Sequence, residues 1–119
     1  MKIGDMRVTR RMVQALIREA APDGPPEQSV LCEAMRHGSM SLEYYLPVDE
    51  DRQQPHDQDE LYIVQEGAAL LVIEDAVMEL ASGDAVFVPA GARHRFHSFS
   101  AGFATWVIFW GRKGGEAPS

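Results

Sequence analysis

The sequence predicts an all-β domain, a barrel or a sandwich, preceded by one short amphipathic helix, and three observations predict it. From Ser29 onward apolar residues fall in short runs, at 30–35, 41–46, 61–65, 69–74, 85–88, 94–99 and 103–110. The runs are separated by turn-forming residues at 37–38, 47–55, 66–67, 82–84, 89–91 and 101–102, which is how short strands and their connections read. At least seven strands in about eighty residues is the density of a sandwich or barrel. Before residue 22 the period is different: Met12, Val13, Leu16, Ile17 and Ala20 recur on one side of a helix.

The helix spans 9–21, with Thr9 placed to cap its N-terminus. Pro22-Asp23-Gly24-Pro25-Pro26 stops it, because prolines lack the amide hydrogen and the free φ that a helix needs. Its apolar face needs a cover, either the outside of the barrel or a second subunit. The expected organisation is a helix and loop extension at 1–28, a barrel at 29–111 and a flexible, polar, Gly-rich tail at 112–119.

A length of 119 residues is one domain, too short for separate cofactor and substrate domains. The contents of 45% apolar and 24% charged residues are those of a globular chain. A net charge of −7 argues against a nucleic-acid partner, whose phosphates need clustered Lys and Arg. The local basic run of Lys2, Arg7, Arg10 and Arg11 reads as a solvated helix face. The single cysteine, Cys32, excludes an intrachain disulfide, and its apolar surroundings suggest an inert buried thiol. There is no signal-peptide h-region and no stretch of about 20 apolar residues, so no membrane partner and a cytoplasmic location are expected.

Chemistry-bearing residues gather in two places. If 54–64 is a strand, Gln54, His56, Gln58 and Glu60 point to one face, with Leu61 and Ile63 on the other. Turned to water, that polar row is merely solvated; turned inward, it needs a purpose. The second segment, Gly83 to His94, reads as a turn, a short buried strand and a tight turn through Pro89 and Gly91 that delivers His94 at the start of a new strand. His94, Phe96 and Ser98 then share a face. Two histidines and one carboxylate converging on a cavity make a set that leaves coordination positions open and suits non-haem Fe(II). Gln54 would add a weaker amide oxygen as a fourth ligand.

Both segments resemble the motifs of the cupin family. Its first motif reads G, five residues, H-x-H, three or four residues, E, six residues, G; His56, Glu60 and Gly67 fall in register, while Gln54 replaces the first histidine and Val48 the leading glycine. Its second motif reads G, five residues, P-x-G, two residues, H, three residues, N; Gly83, Pro89, Gly91 and His94 match and Ser98 replaces the asparagine. The resemblance, over roughly 41–110, implies a cupin double-stranded β-helix, or jelly-roll, barrel. It also implies one divalent metal, Fe, Ni, Zn or Mn, on His56, Glu60 and His94, and a homodimer, for which the helix at 12–20 and the strand at 30–35 are the natural interface elements.

Tyr62, Phe96, Ser98 and Trp106 are the candidate substrate-pocket residues, Tyr62 as a hydrogen-bond donor to a metal-bound substrate. Trp106, Ile108 and Trp110 share a strand face that packing also explains. Arg93, Arg95, His97 and His37 read as surface groups. The expected function is a metal-dependent reaction on a small organic molecule, dioxygenase-like or isomerase-like. The alternatives are a non-catalytic small-molecule binding or sensing module, with or without metal, and a structural protein that keeps the fold without the site.

Overall fold

The computed structural model describes residues 6–117. Helix α1 spans Arg10–Ala20 and is followed by eight strands: β1 (Val30–His37), β2 (Met40–Leu46), β3 (Asp59–Glu66), β4 (Ala68–Ile73), β5 (Ala76–Ala81), β6 (Ala85–Val88), β7 (His94–Phe99) and β8 (Ala104–Trp110). They form two antiparallel sheets, a five-stranded one in the order β1-β2-β8-β3-β6 and a three-stranded one in the order β5-β4-β7.

Alternation along each strand sorts side chains between two cores. Tyr45, Tyr62, Val64, Leu71, Val88, Phe96, Phe103 and Val107 meet between the sheets. Val13, Tyr44 and Ala104 form a smaller cluster with Ile17, Ala34 and Trp106, where α1 lies on the outer face of the five-stranded sheet. The outside of the barrel is therefore the cover for the helix, although Met12 and Leu16 stay exposed. Thr9 caps α1, its hydroxyl accepting from the Met12 amide at 3.2 Å. In the predicted basic run, Arg10 pairs with Glu66 on β3, and Lys2 lies outside the described residues.

Three expectations need correction. The predicted strand at 54–64 begins only at Asp59; residues 47–58 form an irregular strap between β2 and β3. The strand β5 has no counterpart among the predicted runs, because only Leu80 of its six residues is buried and its alternation is correspondingly faint. It is joined to β4 by a tight turn in which Glu74 takes φ 51°, a conformation unusual for a residue with a side chain. Glu74 is held there by Arg93, whose backbone amide (3.0 Å) and Nε (3.2 Å) both donate to its carboxylate. Finally, the segment after β8 has partners where the sequence predicts a free tail. Gly114 N–H donates to the Asp57 carbonyl (2.7 Å), Glu116 N–H to Asp59 Oδ2 (2.8 Å), and Gln58 Nε2 to the Gly111 carbonyl (2.8 Å). The last two residues of that predicted tail lie outside the described residues.

Gly67 turns β3 into β4 at φ 82°, and a Cβ there would sit 2.5 Å from Ser100 Oγ and 3.1 Å from the Phe103 Cα. Both the conformation and the space demand glycine. Gly67→Ala is expected to destabilise the fold by about 1–3 kcal/mol, the usual cost of a strained left-handed residue. Urea denaturation measures this, and a midpoint equal to that of the parent would contradict it.

Candidate metal centre

His56 comes from the strap, Glu60 from the second residue of β3 and His94 from the first residue of β7. Their donor atoms lie within 4.8 Å of one another. Glu60 Oε2 is 3.2 Å from His94 Nε2 and 3.9 Å from His56 Nε2. The Glu60 and His94 side chains are each 1% exposed, whereas His56 is half-buried, its ring edge-on to Phe109 of β8 at 4.8 Å.

Local hydrogen bonding brings these three segments together. Gly91 N–H donates to the His56 carbonyl at 2.7 Å, so the tight turn before β7 is tied to the strap at the histidine itself. Gly91 adopts φ 81° to do so. The buried Asp59 carboxylate accepts the Ala90 amide at 3.0 Å, fixing the same turn to the start of β3. His94 Nδ1 lies 2.9 Å from the Ala92 carbonyl. A carbonyl only accepts, so Nδ1 carries the proton and Nε2 of the neutral ring presents its lone pair to Glu60 and His56.

The residues fit a divalent ion. His56 Nε2, His94 Nε2 and both Glu60 oxygens are buried without a hydrogen-bond partner among the described residues. The 3.2 Å approach of Glu60 to His94 is too poorly aligned to count as a hydrogen bond. Buried polar atoms are normally satisfied, so four orphans on three residues whose donor atoms lie within 4.8 Å of one another require an explanation, and an ion is one. Donors bound at about 2.1 Å to one ion stand roughly 3.0–3.4 Å apart, a contraction that small side-chain rotations supply. The backbone carbonyl on the far nitrogen of His94 is the partner that fixes such a ligand's tautomer.

The other predicted residues divide. Tyr62 points inward as expected and is fully buried, its hydroxyl donating to Gln53 Oε1 at 3.0 Å. Burial, with the adjacent Glu60 charge, pushes its pKa well above the phenol range, so it stays protonated. Phe96 is buried between Tyr62 and Phe103, with ring centroids 5.0 Å from each. Ser98 is exposed, a correction that follows from a bulge: Leu71 pairs with Phe96 but Leu70 with Ser98, so His97 is an extra residue and the alternation reverses. Trp106 is on the outer face, under α1, with Nε1 donating to Gln65 at 2.9 Å; the inward face of β8 carries Val107 and Phe109. Gln54 is exposed beside a surface hollow bordered by Glu74, Arg93 and Arg95, and the amide that turns inward is that of Gln53. The reason is the absence of strand geometry before Asp59, which removes the parity on which Gln54 was placed.

Two carboxylates went unnoticed in the sequence. Glu43 pairs across the sheet with Val107, which places it on the inner face, and burial raises its pKa despite a hydrogen bond from Ser41 and the nearby His56. Alternation with Ser41 and Tyr45 was a usable signal for it. Asp51, 3% exposed, accepts from Tyr45, Gln53 and the Phe96 amide, and nothing local in the sequence marks it.

Comparison with known proteins gives a consistent picture. The family described as Cupin domain matches residues 42–110. An uncharacterised protein of Streptomyces coelicolor is 41% identical over 59 residues, half of this chain and 56% of that protein; the match thus spans little more than half the relative's length. A protein of unknown function from Rhizobium leguminosarum superposes with a TM-score of 0.66 at 19% identity, over 94% of this chain and all of that one. An RmlC-like cupin family protein with a double-stranded β-helix fold, from Methanocaldococcus jannaschii, gives 0.61 at 16% identity, over 71% and 82% of the two chains. These two likenesses establish the fold alone.

In the metal-free protein, burial lowers the His94 pKa, but Glu60, the Ala92 carbonyl and the Asp51 charge outweigh it and the net shift is upward from 6.5. A raised folded-state pKa means the His94–Glu60 attraction stabilises fully below about pH 6.5 and is lost as pH rises through the folded-state value. The Tm of metal-stripped protein should therefore fall across that window, and His94→Gln should flatten the fall. Parallel profiles for the two proteins would show that the pair makes no such contribution.

Proposed function

The chain belongs to the cupin family, and from that premise we propose that it holds one divalent metal on His56, Glu60 and His94 and acts on a small organic molecule inside the barrel. The observation that carries this reading is the gathering, within 4.8 Å, of buried donor atoms from His56, Glu60 and His94 that have no hydrogen-bond partner among the described residues. A purely structural site would pair them, because burying an unsatisfied polar group costs about 1–3 kcal/mol.

Iron, nickel, zinc and manganese all accept this donor set. Bound there, such an ion supplies Lewis acidity and, for iron, redox chemistry suited to dioxygenation. The chain's own residues supply the surroundings. Tyr62, Phe96, Val107 and Phe109 pack into the apolar core beside the donors and limit water there, and the Ala92 carbonyl keeps the His94 proton on Nδ1. Dioxygenase-like and isomerase-like reactions are the two classes this arrangement serves. The exposure of Gln54 favours a three-ligand centre with open positions for a substrate. A cytoplasmic location belongs to the same reading.

The test is elemental analysis of protein purified without added metal or a polyhistidine tag, run beside His94→Ala. Near-stoichiometric Fe, Ni, Zn or Mn in the parent and its loss from a variant with unchanged circular dichroism is the expected result. No metal in the parent, and none taken up on incubation with those ions, would overturn the reading in favour of a metal-free binding cupin.

We also propose a homodimer formed through α1 and β1. The strand β1 is an unpaired sheet edge, and Met12 and Leu16 on α1 are 46% and 40% exposed. Light scattering should give twice the 13.2 kDa chain mass, and a monomeric mass would refute it.

A further inference from the structure

The strap that delivers His56 is anchored by a buried carboxylate that the metal centre does not use. Asp51 Oδ1 accepts the Tyr45 hydroxyl at 2.7 Å; Oδ2 accepts the Gln53 side-chain amide at 2.9 Å and the Phe96 backbone amide at 2.7 Å. The strand β7 is the outer strand of its sheet, so its free edge requires acceptors, and Asp51 supplies one where a further strand would otherwise lie.

The Asp51 carboxylate also fixes which way Gln53 faces. A carboxylate with three donors around it only accepts, so Gln53 must turn its NH₂ to Asp51 and its oxygen the other way. That oxygen receives the Tyr62 hydroxyl at 3.0 Å. Tyr62 stands two residues beyond Glu60 on the same inward face of β3, its hydroxyl beside the Glu60 carboxylate and its ring 6.3 Å from that of His94. The Tyr62 proton is therefore committed to Gln53, and the phenol faces the centre as a fixed neighbour of Glu60.

Resting on the metal-centre reading above, we infer that Asp51, Gln53 and Tyr62 form a positioning chain that pins the strap to β3 and β7 and so holds His56, three residues beyond Gln53, in place at the centre. Groups that fix where a metal ligand stands typically govern metal affinity by about 10–100-fold, and here the ligand so fixed is His56. Gln53, not its neighbour Gln54, is the glutamine that matters to the centre.

Cobalt(II) titration followed by visible absorption tests this, because the d–d bands report ligand geometry as well as occupancy. Gln53→Ala and Tyr62→Phe are each expected to weaken cobalt binding by about 10–100-fold and to shift the bands. The double variant should be little worse than either single one, as members of one chain are not additive. Gln54→Ala should match the parent. Tyr62→Phe keeps the ring and removes only the hydroxyl, so it carries the test even if Gln53→Ala does not fold by circular dichroism. Parent-like affinity and spectrum in Tyr62→Phe, or losses that simply add, would overturn this inference alone. Failure of the parent to bind cobalt would overturn the metal-centre reading and this inference with it.

Discussion

The hydrogen bond from Gly91 N–H to the His56 carbonyl is the contact on which the site depends. His56 and His94 are 38 residues apart, on a strap with no ladder of its own and at the start of an edge strand. Neither segment's secondary structure would bring one imidazole to the other. The tight turn at 89–92 does so, aided by Asp59, which holds the Ala90 amide on one oxygen and the Glu116 amide on the other. Gly91 is required for its φ of 81°, and the turn in consequence presents its amide outward to the strap. Contacts to backbone groups, and not the imidazoles themselves, thus bring the three candidate ligands together.

Three buried carboxylates illustrate how satisfaction separates structure from chemistry. Asp51 and Asp59 are each surrounded by donors and serve as staples, one for the strap and the edge of β7, the other for the turn and the segment after β8. Such buried groups cost little because the hydrogen bonds replace lost hydration. Glu60 is buried just as deeply, yet its oxygens have no hydrogen-bond partner and face two imidazole nitrogens in the same condition. The contrast lies within one sheet and one strand, since Asp59 and Glu60 are adjacent and point to opposite faces.

The two faces of β2 differ in a similar way. In the five-stranded sheet, Tyr45 of β2 meets Phe96 of the facing sheet, while Ser41 and Glu43 on the same inner face of β2 interrupt the apolar surface. The opposite face of β2 carries Tyr44, covered by α1 together with Trp106. A tryptophan on β8 therefore packs beneath the helix while its neighbour Val107 lines the interior.

The sequence by itself determined the all-β class with its capped helix, the inward direction of Tyr62, Phe96 and Glu60, and the delivery of His94 at the start of a strand. Each of these follows from a period of two or 3.6, or from the spacing of turn residues, and such regularities are local. Only the tertiary structure decided that Ser98 faces solvent, because a bulge opposite β4 reverses the alternation midway along β7. Only it decided that Gln53 turns inward and Gln54 outward, because the strap has no strand period and takes its shape from Asp51 bonding to residues 6 and 45 positions away. The same holds for Trp106, whose face is apolar on either side of the sheet, so that hydrophobicity could not say which side was the interior. Periodic structure is written in neighbouring residues; an irregular segment is shaped by whatever distant groups satisfy its polar atoms.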